Sequence, residues 1–205
     1  MNGTNAVERI WMSGGAENIP TTRAISNHSN ARWVMLSCIA IAVQISALSL
    51  LGRHWFCGCG TIEFWQGTLD PMQNSQQLTD PYSFLHFAFG CGLFVWLKMI
   101  RPQWPLMRRA TYAIISSMIW EVMENLPFII QIFGAEGSGM DYYGDSIANS
   151  LGDTAAVLVG FLAASRMPTP VTVSAIVALE IVTFIMIGDS VIAGLLRITT
   201  STSMI

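Results

Sequence analysis

The sequence predicts an all-α fold: a polytopic membrane helix bundle of about five transmembrane helices with a cytoplasmic N-terminus. Three observations predict it. Only 11% of the 205 residues are charged and 52% are hydrophobic, against about 25% charged in an average soluble domain. The apolar residues fall in blocks of roughly 20, the length that crosses a hydrocarbon core of about 30 Å at 1.5 Å per residue. Lys and Arg collect on alternate connecting segments, as retention of positive loops in the cytoplasm requires. Ten Lys+Arg stand against thirteen Asp+Glu, for a net charge of −3. No basic run capable of neutralising phosphates is present, which excludes nucleic acid as a partner.

Residues 1–30 are rich in Asn, Ser, Thr and Gly and hold no apolar run before Trp33. They read as a disordered polar arm that lacks the apolar region of a cleavable signal peptide. A transmembrane helical domain follows over 31–190, with spans expected at Trp33 to Leu51, Tyr82 to Ile100, Ala110 to Phe133, Ile147 to Ser165 and Val171 to Ile187. The segment Val191 to Ile198, about 12 Å long, is too short to cross and reads as a frayed or interfacial part of a short tail over 191–205. With the N-terminus inside, Arg9, Arg23, Arg32, Lys98, Arg101, Arg108, Arg109 and Arg166 are cytoplasmic, and Arg53 and Arg197 lie outside. The long polar loops 52–81 and 134–146 then face outward and carry Glu63, Asp70, Asp80, Glu136, Asp141 and Asp145.

An ionisable group in hydrocarbon costs at least about 2.5–3.5 kcal/mol on insertion scales, so each one in a span calls for a partner or a function. The spans contain His86, Glu121, Glu124, Asp153 and Glu180. In the third span, helical periodicity puts Ser117, Glu121, Glu124, Asn125 and Phe128 on one face, so both carboxylates look into the bundle. Two such acids imply a proton on one of them or a cation between them. Pro127 removes a backbone donor and frees a carbonyl near Met123, and broken helical bonding beside buried acids lines cavities. The fourth span carries Ser146, Asn149, Ser150 and Asp153 at i, i+3, i+4 and i+7, ahead of a close-packing Gly160. The second matches it with Thr79, Ser83, His86 and Gly90.

Rise per residue puts His86 about 6 Å, Asp153 about 9 Å and Glu124 about 13 Å from the outer helix ends. The expected constellation makes His86 and Asp153 metal ligands, Glu124 the general base with Glu121 as a second catalytic carboxylate, and Asn125, Asn149, Asp141 and Asp145 the binding residues; its cofactor is a divalent metal. Ser83, Ser117 and Ser150 read as interhelical hydrogen-bond donors. Glu180 either pairs with His86 or stands as a lone protonated acid. Cys57 and Cys59, separated by Gly58 in the first outer loop, read as a redox or disulfide pair. The pair is then either a loop staple against Trp55 and Trp65 or, with His54, a soft-metal site. Cys38 and Cys91 read as small apolar residues. No zinc-finger spacing, phosphate loop or nucleophile elbow occurs.

Trp55-Phe56-Cys57-Gly58-Cys59-Gly60, Asn74-Ser75-Gln76-Gln77-Leu78-Thr79-Asp80, Trp120-Glu121-Val122-Met123-Glu124-Asn125 and Asp141-Tyr142-Tyr143-Gly144-Asp145-Ser146 together resemble an uncharacterised family of small bacterial multi-pass membrane proteins, domain of unknown function 2585. The likeness runs from about Trp33 to about Asp189, with Gln77 where the family pattern carries a His. It implies the bacterial inner membrane and a helical fold, and it brings no activity with it. More distantly, the acids on consecutive helices are similar to those of VanZ-like membrane proteins. Three functions stay open: a metal or lipid-head-group site in the outer leaflet with hydrolase chemistry, a non-enzymatic assembly or stability factor, and a proton or ion relay. Membrane lipids are the expected partners, with an envelope protein as a further candidate.

Overall fold

The computed structural model describes residues 22–68, 70, 72–135 and 142–202. They form seven helices: α1 (Thr22–Leu50), α2 (Ser83–Ile100), α3 (Leu106–Glu124), α4 (Pro127–Ala135), α5 (Ile147–Ala164), α6 (Thr169–Ile187) and α7 (Val191–Thr202). Among the described residues there is no strand. Asn30–Leu50 of α1, together with α2, α5 and α6, are long and apolar enough to cross a membrane, and α3 with α4 makes a fifth crossing if the bent pair is one span.

Local chemistry sets the helix ends. Asp80 leads into α2 through a turn in which its Oδ1 accepts from the Tyr82 amide at 2.8 Å, and Ser146 starts α5 by accepting from the Asn149 amide at 3.0 Å, the work of an N-cap. The first amides of α5 are satisfied from far away in sequence: Ile147 donates to the His54 carbonyl at 2.8 Å and Ala148 to that of Trp55 at 3.1 Å. Pro168 and Pro170 open α6, and Gly188 at φ 71° closes it, a left-handed position where glycine carries no steric penalty.

Helix α2 packs on α5 and α6, α1 on α3, α3 on α5, and α7 on α4. Two glycines set how closely α2 and α5 approach. A Cβ on Gly90 would collide with the Val157 carbonyl, and one on Gly160 with that of Phe87. The apolar core of this pair includes Cys91, Phe94, Val157 and Phe161, with the Phe94 and Phe161 rings edge to face at 5.3 Å. Elsewhere the contacts are polar. Gln44, fully buried on α1, donates to the Ser150 carbonyl at 3.0 Å and accepts from Thr154 Oγ1 at 3.1 Å, while Ser117 and Thr154 meet at 3.1 Å.

Four expectations change. The third block is not one straight span: α3 starts at Leu106 and meets α4 at a 75° bend, because Pro127 cannot donate and disfavours a helical conformation in the residue before it. Phe128 therefore leaves the face of Glu121 and is 52% exposed. Thr79 precedes α2 and belongs to the loop, where its hydroxyl and amide bond the Phe64 carbonyl. Helix α1 begins at Thr22, within the segment read as a disordered arm, and residues 1–21 lie outside the described residues. Finally, the short segment after Asp189 forms a twelve-residue helix, α7, that packs against α4.

Candidate functional site

Helix α2 brings His86 between α3 and α5. Its Nδ1 lies 3.4 Å from Glu121 Oε1, and its Nε2 lies 3.7 Å from Asp153 Oδ2. Ser83, one turn earlier, donates to Asp153 Oδ1 at 2.6 Å and accepts from the Asp80 amide at 3.2 Å. Asp80 is itself fully buried and also accepts from the Ser75 amide at 2.8 Å. Burial raises its pKa above the ordinary carboxylate value, against the lowering effect of these amides. A chain of contacts thus runs from the loop before α2 through Ser83 and Asp153 to His86.

Glu121 is fully buried, and its carboxylate oxygens receive no hydrogen bond of good geometry, with His86 Nδ1 and the Ser150 hydroxyl as the polar groups nearby; Glu124 Oε2 is without a partner as well. One ligand atom from each of His86, Glu121 and Glu124 lies within 4.8 Å of the others. Bare buried carboxylates are costly, and that cost falls when a cation sits between them.

The bend between α3 and α4 is tied to the start of α5. Asn125 donates through Nδ2 to Asp145 Oδ2 at 2.6 Å and to the Glu121 carbonyl at 2.9 Å, and its Oδ1 accepts from the Asp145 amide at 2.8 Å. The Tyr142 hydroxyl donates to Asp145 Oδ1 at 2.9 Å. Burial and the neighbouring Asp153 push the Asp145 pKa up to about 7, and burial raises the Tyr142 phenol well above its ordinary value. Gly144, at φ 83°, leaves no room for a Cβ, which would meet Ile130 Cδ1 at 2.8 Å and Asn125 Oδ1 at 2.9 Å.

A cavity of about 230 Å³ opens beside the cluster. Its polar lining includes His86, Glu124, Asp145 and Asp153, and Leu85, Phe89, Trp120, Phe133, Val191 and Leu195 supply apolar wall. Asp189 and Arg197, paired at 2.8 Å, line it from the α7 side. A second cavity, about 360 Å³, lies among the loops beside Arg53, His54, Cys59 and Gln76 and shares Asn74 and Asp145 with the first.

The other sequence-derived residues distribute as follows. Asn149 is buried and donates to the Gln77 carbonyl at 2.9 Å, which holds the loop and not the cavity. Asp141 lies outside the described residues. Glu180 forms no ion pair with His86 among the described residues, and its Oε2 is bare. Cys57 and Cys59 form a disulfide with each other and so offer no thiolates to a metal beside His54. Trp55 and Trp65 are about half exposed, so the pair is not sealed beneath them. Gln77 is buried and accepts from the Glu63 amide at 2.7 Å.

Sequence reasoning missed four participants. Asp80 was counted among outer-loop acids, although Asp-Pro directly ahead of an apolar helix is a capping signal. Gln44 sits in an apolar run whose nearest polar neighbour at helical spacing is Ser37, two turns earlier. Asp189 and Arg197 flank a helix too short to attract attention as a wall.

The family model described as protein of unknown function (DUF2585) matches residues 48–205. A UPF0314 protein of Brucella anthropi is 41% identical over 169 residues, covering 80% of this chain and 85% of that protein. A UPF0314 protein of Rhizobium meliloti is 35% identical over 168 residues, covering 82% and 85%. One from Sphingopyxis alaskensis is 35% identical over 170 residues, covering 83% and 90%. No solved structure matches the chain.

Proposed function

The chain belongs to the DUF2585 family of bacterial proteins of unknown function, and from that membership and the cluster geometry we propose a multi-pass inner-membrane protein that binds a divalent cation. The ligands are His86, Glu121 and Glu124, two of which, His86 and Glu124, line a cavity that takes the head group of a membrane lipid. The observation that carries this reading is the triad itself: three ligand atoms within 4.8 Å, two of the residues holding bare oxygens. One imidazole and two carboxylates suit zinc, manganese or iron and leave coordination positions open. The two carboxylates also match a divalent charge, so a loaded centre is neutral where neutrality matters most.

The two ring nitrogens of His86 divide the work. Nδ1 faces the triad, and Nε2 faces Asp153, the arrangement in which a carboxylate orients a metal-bound imidazole. Asp153, expected from the sequence as a ligand, is on this reading a positioning residue, itself fixed by Ser83. His86 and Glu124 line the cavity, so open coordination positions face whatever enters. An ion held this way supplies Lewis acidity and an acidified water. With the N-terminus inside, as the Lys and Arg distribution implies, the cavity opens toward the outer leaflet.

The test is metal content. Protein purified in detergent without chelator should carry about one divalent ion per chain. His86→Ala and Glu121→Gln should lose it, and Asp153→Asn should weaken affinity by about 10–100-fold. Wild-type protein that stays metal-free after reconstitution with zinc, manganese or iron overturns the reading and leaves the acids as a proton-bearing network.

A further inference from the structure

The cavity region holds more acids than a divalent ion would occupy. Glu121, Glu124, Asp145 and Asp153 gather around one imidazole. A divalent ion offsets two of the four carboxylates. Asp145 is contacted by neutral donors, Asn125 and Tyr142, and Asp153 by Ser83 and the His86 ring. Arg197, the one Lys or Arg among the lining residues, is already paired with Asp189. An acid-lined, apolar-walled space of this kind offers pairing partners to a cation and few to a purely anionic head group.

The walls point the same way. Phe89, Trp120 and Phe133 line the cavity, and aromatic faces bind ammonium groups. Its volume, about 230 Å³, falls below the roughly 300–1,000 Å³ of pockets that enclose a drug-sized molecule, so it holds a head group without its chains. On the same two helices that supply Phe133, Val191 and Leu195 to its wall, Phe128 of α4 and Ile192 and Leu196 of α7 are exposed, apolar side chains available to acyl chains.

We infer that the head group is that of an aminophospholipid, its ammonium between Asp145 and Asp153 and its phosphate at Arg197. This rests on the reading of the cavity as a head-group site, and it names the class. The phosphate adds a second anchor, since the Arg197 guanidinium keeps donors beyond the one given to Asp189. The ammonium makes the selection.

The test compares dihexanoyl phosphatidylethanolamine with dihexanoyl phosphatidylglycerol, which keeps the phosphate and chains and lacks the amine. Chain-free phosphoethanolamine serves as a third probe. Each is titrated into the detergent-solubilised full chain, with and without chelator, while bound metal is measured on the same samples. The ethanolamine lipid should bind about ten-fold tighter or better than the glycerol lipid, the scale of one charge-assisted contact, and chain-free phosphoethanolamine should bind more weakly than the lipid.

Asp145→Asn should reduce the preference. Gly194→Leu should abolish binding of both lipids: its Cβ meets Phe133 Cε1 at an ordinary 3.7 Å, so it fills the cavity while Arg197 stays in place. Equal or tighter binding of the glycerol lipid to wild type overturns the inference, as does a preference that survives Gly194→Leu. Bound metal without lipid preference removes this inference alone. Lipid preference without bound metal removes the metal and keeps the amine.

Discussion

Asn125→Ala removes the two hydrogen bonds that tie the end of α3 to Asp145, at 2.6 and 2.8 Å. Asn125 is 1% exposed and Asp145 5%, so bulk water replaces the lost partners poorly. The substitution leaves the Asp145 amide and one carboxylate oxygen bare, at about 1–3 kcal/mol each. A loss of about 2–6 kcal/mol follows, a large share of the roughly 5–15 kcal/mol that holds a folded chain together. Unfolding in mixed detergent, followed by tryptophan emission and far-ultraviolet dichroism, reads this directly. The exchanged pair, Asn125→Asp with Asp145→Asn, restores opposed donors and acceptors across the bend and should recover at least half of the loss. A single-variant loss below about 1 kcal/mol, or an exchanged pair no better than Asn125→Ala, would refute the view that this contact fixes the bend.

Gly90→Ala and Gly160→Ala each press a methyl on a backbone carbonyl of the facing helix and should cost about 1–3 kcal/mol; the double variant should cost less than the sum, because parting α2 and α5 once relieves both, and strict additivity in a denaturation series counts against this. Parting these helices also withdraws His86 from Asp153, now 3.7 Å away, so metal content should fall in step with stability. Acid should stabilise the metal-free protein. The folded state holds a proton on Asp145 up to about pH 7, while the unfolded chain gives it up near 3.8, so stability is greatest near pH 4 and declines as pH rises to 7, by at most about 4 kcal/mol. The groups facing Asp145 are Asn125, Tyr142, Asp153 and His86, and Asp80 has a pKa raised in the same sense. A melting temperature that climbs from pH 5 to pH 8, or a profile unchanged in Asp145→Asn, contradicts this sign.

How far the sequence reaches can be seen at individual residues. The apolar blocks located α2, α5 and α6 closely, because a bilayer-length run of hydrophobic residues has one stable outcome. Pro127 signalled a disturbance but not its angle: a proline states that a hydrogen bond is missing, and the direction of the bend is set by Asn125 meeting Asp145 across twenty residues. Helical spacing aimed Glu121 and Asp153 at the neighbouring helices. Which nitrogen of His86 each one meets depends on helix packing at the level of an ångström, which periodicity does not encode. Helix α7 was undervalued for its length, since length alone does not distinguish a frayed end from a wall supported by α4.

The backbone bonds from Ile147 to His54 and from Ala148 to Trp55 have a consequence for biogenesis. The loop after α1 leaves the ribosome well before α5 exists, and at about 5–20 residues per second the delay is on the order of ten seconds. During that interval the carbonyls of His54 and Trp55 have no α5 amides to accept from. The early half of the chain is therefore completed by the late half, and a chain halted between α4 and α5 presents an unfinished loop for quality-control proteases to find.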